Sequence, residues 1–150
     1  MADSLRDKAL SLLARRDYSR LALARKLAPL AESAPEGALE SLLDDLVARQ
    51  LLSDVRYAAN RARARGQRYG DSRLAGELLR EGLPPEEIET ALALCGGERE
   101  RCQAVWQKKF GAPPADPREQ AKQARFLRYR GFSSDSIRQV LRNMESDDES

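Results

Sequence analysis

The chain has 150 residues, 41% of them hydrophobic and only 5% aromatic, a profile that suits helices with narrow apolar stripes and thin cores. Lys and Arg number 26 against 24 Asp and Glu; the net charge of +2 hides a basic body behind an acidic end, MESDDES at 144–150. Histidine is absent, which removes the commonest general base and metal ligand, and no segment is apolar and long enough to cross a membrane.

The first predicted helix runs from about Leu5 to Arg16, capped by Asp3 or Ser4, with Leu5, Ala9, Leu12 and Leu13 inward. Ser19 caps a second, with Leu23 and Leu27 four apart, and Pro29 is expected to end it near Ala28. Ser33 and Glu36 have capping-box spacing, so a third helix is expected to open there, with Leu39, Leu42, Leu43, Leu46 and Val47 as its apolar set. Ser53 caps a fourth that ends near Gly66. Gly70-Asp71 opens a fifth with Leu74, Ala75, Leu78 and Leu79 inward, and Gly82 stops it. Pro84-Pro85 starts a sixth, with Glu86 and Glu87 at its positive end and Ile88, Ala91 and Leu92 facing the core. Gly96-Gly97 precedes a seventh carrying Cys102, Val105, Trp106 and Phe110. The linker Ala112-Pro113-Pro114-Ala115 leads to Asp116, the cap of an eighth that ends at Gly131. Ser133 caps a ninth with Ile137, Val140, Leu141 and Met144, beyond which fraying is expected. No stretch alternates with period two, so no strand is predicted.

Nine helices divide by three. LLREGLPPEEIETAL in the fifth and sixth aligns with FLRYRGFSSDSIRQVL in the eighth and ninth. Gly82 falls on Gly131, Leu83 on Phe132, Ile88 on Ile137 and Leu92 on Leu141, and the second and third helices give a looser copy. The expectation is an all-α chain of three tandem three-helix, helix-turn-helix-like repeats forming an elongated, curved array. Repeat 1 covers 1–52, repeat 2 covers 53–95, repeat 3 covers 96–144, and residues 145–150 form an acidic tail.

The fourth helix stands out. Residues 55–70, VRYAANRARARGQRYG, hold Arg56, Arg61, Arg63, Arg65 and Arg68 and no acid. Val55, Ala58, Ala59 and Ala62 make a thin stripe that buries little, so neighbours must hold this helix. Its cations are either a solvated face or a binding face for something anionic. Further basic spots are Arg25-Lys26, Lys108-Lys109, and Arg125, Arg128 and Arg130, with Arg73 on the fifth helix. Trp106, Tyr129 and Phe132 could stack on bases but are read as core residues.

Chemistry finds no footing. Asp44-Asp45 and Glu86-Glu87 are helix neighbours that point apart, no Gly-rich phosphate loop is present, and two cysteines without histidine make no zinc site. On one helix Cys95 and Cys102 would lie about 10 Å apart along the axis, too far to bond. No enzyme, cofactor or metal is expected, and the lack of a signal-peptide core makes the cytoplasm the expected compartment.

The chain resembles the RecX family of recombination regulators. The match is carried by Arg16-Asp17-Tyr18-Ser19, Asp54-Val55-Arg56-Tyr57-Ala58 and Arg130-Gly131-Phe132, in that order, with ALSLLARRDYSRLALARKL at 9–27 and AVWQKKFG at 104–111. The resemblance implies tandem three-helix repeats and a non-enzymatic function. It implies binding of the RecA recombinase filament on single-stranded DNA and restraint of its ATPase, strand-exchange and co-protease activities. On this view Arg61, Arg65 and Arg68, helped by Arg73, meet carboxylates or phosphates of the filament, a role arginine fills better than lysine. A monomer is expected, and single- or double-stranded DNA is a further candidate partner. Two other readings stand beside it: a tandem DNA-binding module, and a helical platform for protein partners. The sixth helix, PPEEIETALAL, is acidic and poorly suited to a duplex.

Overall fold

The computed structural model describes residues 2–148, with side chains from Ser4 to Arg142. Nine helices make up the described residues: α1 Ala2–Arg15, α2 Arg20–Ala31, α3 Ala38–Ala48, α4 Asp54–Arg65, α5 Asp71–Arg80, α6 Pro85–Ala93, α7 Glu98–Lys109, α8 Pro117–Tyr129 and α9 Ser134–Asp148. No strand occurs among them.

Every extensive helix–helix contact lies within one consecutive set of three. Three separate cores result. Leu5, Ala9, Leu23, Leu27, Leu43, Leu46 and Leu52 fill the first. Ala58, Ala59, Leu78, Leu83, Ile88 and Ala91 fill the second. Cys102, Val105, Trp106, Leu127, Phe132, Ile137, Val140 and Leu141 fill the third. Three small cores in a row leave much surface outside. The chain exposes 9484 Å², where a compact chain of 16.8 kDa would expose about 7,700 Å². The array is therefore elongated.

The caps are local chemistry. Ser19, Ser53, Asp116 and Ser133 each accept a backbone N–H three residues on, from Ala22 (3.1 Å), Arg56 (3.1 Å), Glu119 (2.8 Å) and Ser136 (3.1 Å). Gly82 and Gly131 take φ of +88° and +95°, which lets the next residue, Leu83 or Phe132, fold back into its core at 3% exposure each.

Four expectations change. Pro29 lies inside α2, which runs on to Ala31. Proline takes away one N–H, and the carbonyl it leaves unpaired belongs to exposed Arg25, where water can serve it. Ser33 does not open α3: the Ser33 and Ala34 N–H groups donate back to Leu30 (3.3 Å) and Ala31 (3.1 Å), closing α2, and Gly37 at φ +82° is the true cap residue of α3. Val47 and Leu79 point outward, 45% and 52% exposed. Their core places go to Leu52 and Leu83, brought in by the turns beyond each helix. The backbone of α9 stays helical past Met144; the side chains of Met144 and of the acidic tail at 145–150 lie outside the described residues.

The arginine-rich α4 is held as its thin stripe requires. Ala58, Ala59 and Ala62 are at most 4% exposed, and alanine lets α6 approach closely. The third core carries one buried polar pair: Trp106 Nε1–H donates to Gln123 Oε1 at 2.8 Å, and Gln123 Nε2 donates to the Ala112 carbonyl at 3.3 Å. Cys95 and Cys102 are free. Burial pushes the Cys102 thiol up to about 12, so it behaves as an inert apolar filler.

Candidate nucleic-acid and filament interface

The predicted cations divide into those already engaged within the chain and those that are not. Arg56 Nε donates to Asp17 Oδ1 at 2.9 Å, and its other nitrogens donate to the carbonyls of Gln50 (3.0 Å) and Leu51 (3.2 Å). It ties α4 to the turn after α1 and to the turn after α3. Arg65 grips Glu77 with two parallel bonds of 2.7 Å, Arg61 reaches Glu81 at 3.4 Å, and Arg73 lies 3.8 Å from Glu77. The first two fasten α4 to α5 and its end, and the third lies within α5. Arg63 meets only the amide oxygen of Asn60, at 3.3 Å.

The Arg65–Glu77 fork is legible in titration. The Arg65 guanidinium holds the Glu77 carboxyl below its usual value of 4.5, burial opposing it. A depressed carboxyl contributes stability that is full above the unfolded value and lost as pH falls through the folded one. Replacing Arg65 with Met is therefore expected to cost on the order of 1 kcal/mol at neutral pH, since Arg65 is one-third exposed, and to flatten the loss of stability below pH 4.5. Urea melts of both proteins across that range check it.

The unengaged cations gather elsewhere. An open groove of about 810 Å³ lies between α7, α8 and the turn after α4. Arg68, Arg101, Lys108, Lys109 and Arg130 line it, with Glu100 the one acid, and Val105 and Phe126 form its apolar patch. Among the described residues Arg68, Lys108, Lys109 and Arg130 enter no ion pair, and the first three are exposed. Lys109 Nζ sits 5.2 Å from the Phe126 ring centre and the Arg130 guanidinium 5.1 Å. Next to the groove, Tyr69 is ringed by Arg65 (4.7 Å), Arg73 (4.2 Å) and Arg130 (5.4 Å). A planar aromatic beside cations is the arrangement that holds a phosphate chain or a carboxylate-bearing surface.

The structure thus brings Arg68, Lys108, Lys109 and Arg130 together at the groove, sets Arg65 and Arg73 beside Arg130 around Tyr69, and places Arg25, Lys26, Arg125 and Arg128 elsewhere. Arg25 and Lys26 are exposed on α2 in the first set of helices. Arg125 is exposed on α8, and Arg128 lines a separate groove between α8 and α9. Tyr129, expected in the core, is 76% exposed. It lies two residues past the buried Leu127, on the opposite face of α8, 5.9 Å from the Arg73 guanidinium.

Three residues were missed in the sequence. Arg101 is only 12% exposed; it is ion-paired with Asp71 and donates to the carbonyls of Gly66 (3.3 Å) and Tyr69 (2.9 Å), bracing the turn that presents Arg68. Its one signal is its place beside the core residue Cys102. Glu98 accepts from the Asp71 N–H (2.8 Å), the Ser133 N–H (3.1 Å) and the Ser136 hydroxyl (2.6 Å). Burial pushes its carboxyl up, but those donors together leave it lowered. Gln123, one helical turn before Leu127, carried a helical-spacing signal for burial.

Comparison with known proteins agrees with this architecture. The family model described as "RecX, second three-helix domain" matches residues 53–92, and "RecX, third three-helix domain" matches 97–141. The regulatory protein RecX of Leptothrix cholodnii is 51% identical over 140 residues, 93% of this chain and 88% of that protein. The regulatory protein RecX of Chromobacterium violaceum is 44% identical over 97% of this chain and 93% of its own. The crystal structure of RecX from Lactobacillus salivarius superposes with a TM-score of 0.82 at 21% identity, covering 97% of both chains.

Proposed function

The chain belongs to the RecX family, and from that premise we propose that it is a negative regulator of the RecA recombinase. It binds the RecA filament on single-stranded DNA and lowers its ATPase, strand-exchange and co-protease activities. It acts as a monomer in the cytoplasm, without cofactor, by occupying surface and not by catalysis.

The observation that carries this reading is the cationic groove beside α7. Arg68, Lys108, Lys109 and Arg130 have no counter-ion within the chain among the described residues, so an incoming anion need not displace one. Arg61, Arg65 and Arg73 are spent on Glu77 and Glu81, and they contribute by shaping the face more than by direct pairing. Acidic α6, with Glu86 and Glu87 in its first turn, speaks against base reading by the second repeat.

The test is the ATP hydrolysis rate of RecA on single-stranded DNA, titrated with wild-type protein and with a variant carrying Arg68→Ala, Lys108→Ala and Lys109→Ala. The variant is expected to fold with an unchanged melting midpoint. It should need about tenfold more protein for half-inhibition, as roughly 1.4 kcal/mol of lost contact requires. If the groove meets phosphate, the salt slope of binding should fall by about two for three lost contacts on a single strand. Equal inhibition by the variant would remove the groove from the interface. Tight salt-sensitive binding to bare DNA without inhibition would favour a DNA-binding module.

A further inference from the structure

The two junctions between repeats are built on the same plan. At each, the first acidic residue of one repeat's leading helix accepts the first N–H of the preceding repeat's second helix. Glu98 of α7 accepts from the Asp71 N–H of α5 at 2.8 Å, and Asp54 of α4 accepts from the Arg20 N–H of α2 at 2.8 Å. A third partner comes from the third residue of the repeat's own last helix. In α9 that residue is Ser136, whose hydroxyl donates to Glu98 at 2.6 Å. In α6 it is Glu87.

A hydroxyl carries its own proton; a carboxyl does so only when protonated. Among the described residues Glu87 Oε2 is buried with no hydrogen-bond partner, and Glu87 lines one cavity of about 450 Å³ together with Asp54. The cap residue of α9 also helps Glu98, with the Ser133 N–H at 3.1 Å. Its counterpart before α6 is Pro84, which has no N–H to give. Asp54 therefore has fewer donors than Glu98 and faces a second carboxyl.

No cation compensates. The two arginines lining the cavity are committed elsewhere: Arg20 to Glu40 (3.0 Å) and Asp44 (2.7 Å), Arg56 to Asp17 (2.9 Å) and two carbonyls. From α6 the other charged neighbour is Glu86, which only adds repulsion. The end of α3 contributes Val47 and Gln50, neither of them charged.

We propose that Asp54 and Glu87 form a proton-held latch between the first and second repeats, while Glu98 and Ser136 hold the second and third together without a titrating proton. With the proton in place, Glu87 donates to Asp54 and the start of α2 is clamped. When it leaves for solvent, two carboxylates face each other over one N–H donor and the junction loosens. Burial, then the charge of Asp54 and the hydrogen bond to it, push the Glu87 carboxyl above its usual 4.5. A raised carboxyl stabilises fully below its unfolded value, and that contribution is lost as pH rises through the folded one. Since no extensive helix–helix contact crosses between repeats among the described residues, polar nodes of this kind contribute to the junction's stiffness.

The Arg20 and Asp71 amides report the two junctions separately in the intact chain. In an NMR titration from pH 4 to 8, the Arg20 amide resonance should move with a midpoint above 4.5, and its exchange protection, corrected for intrinsic rate, should fall about tenfold, whereas the Asp71 amide, whose resonance also follows its own raised carboxyl, keeps its protection. Glu87→Gln, which always carries donors, should abolish both changes at Arg20. Glu87→Ser, copying the third repeat, should do the same. A flat Arg20 response in wild type would overturn the latch. So would an unchanged response in both variants, or a moving resonance with constant protection.

Discussion

Replacing Gly70 with alanine is expected to cost about 3 kcal/mol or more, the range of overpacking against parts that cannot yield. A Cβ there would lie 2.3 Å from the Gly131 carbonyl oxygen and 2.4 Å from the Phe132 nitrogen, all backbone. Gly70 has an ordinary φ of −85°, so the glycine is required by proximity and not by conformation. The Gly70 N–H donates to the Arg130 carbonyl at 2.9 Å, and the Ser72 N–H to that of Gly131 at 3.3 Å. This seam joins the second repeat to the third. Because each repeat has its own core, the substitution should act on coupling: urea unfolding should separate into two transitions, the third repeat melting apart from the second. Gly96→Ala is the control. Gly96 has φ +87° but nothing within 4 Å of a Cβ, so only conformational strain of about 1 kcal/mol is expected, in a single transition. A Gly70→Ala protein that melts like Gly96→Ala would show that the seam can shift apart at little cost.

Arg101→Met is expected to cost about 3 kcal/mol, near the lower bound for breaking a buried pair, because its partner Asp71 is 41% exposed. Methionine keeps much of the stem's packing and removes the charge, the link to Asp71 and both carbonyl bonds. Asp71 already has its carboxyl raised, burial outweighing the nearby guanidinium, and it should rise further once that guanidinium is gone. Lysine should recover less than half of the loss, since one ammonium cannot span Asp71, Gly66 and Tyr69 as a planar fork does. If the proposed inhibition of RecA runs through the groove, the same variant should weaken it beyond its effect on the global fold, because the freed turn carries Arg68 at the groove's rim. Amide exchange at residues 66–70 separates the two effects: unchanged protection there would mean that Arg101 braces the core and not the turn.

Much of the architecture was legible because it is local. A serine or aspartate before a helical stripe, a glycine after one and a 49-residue echo from Gly82 to Gly131 depend on neighbours within a few residues. Ser33, Val47 and Leu79 were misread where a turn, not the helix, decided the outcome, and Pro29 because water can serve the carbonyl it leaves unpaired inside α2. The turn after α3 carries Leu52 inward and displaces Val47, and the turn after α2 consumes Ser33.

The sequence by itself determined an all-helical chain of repeats, a cationic middle and an absence of histidine chemistry. Which cations stay available was decided only by tertiary structure. Arg65 and Arg68 look alike in sequence, yet Glu77 lies within reach of the first and no acid among the described residues pairs with the second. The meeting of Arg68 with Lys108 and Lys109, forty residues away, and of Asp54 with Glu87 depends on how the repeats and helices close against one another. Charge pairing is set by distance in space, and helical periodicity constrains that distance only within one helix.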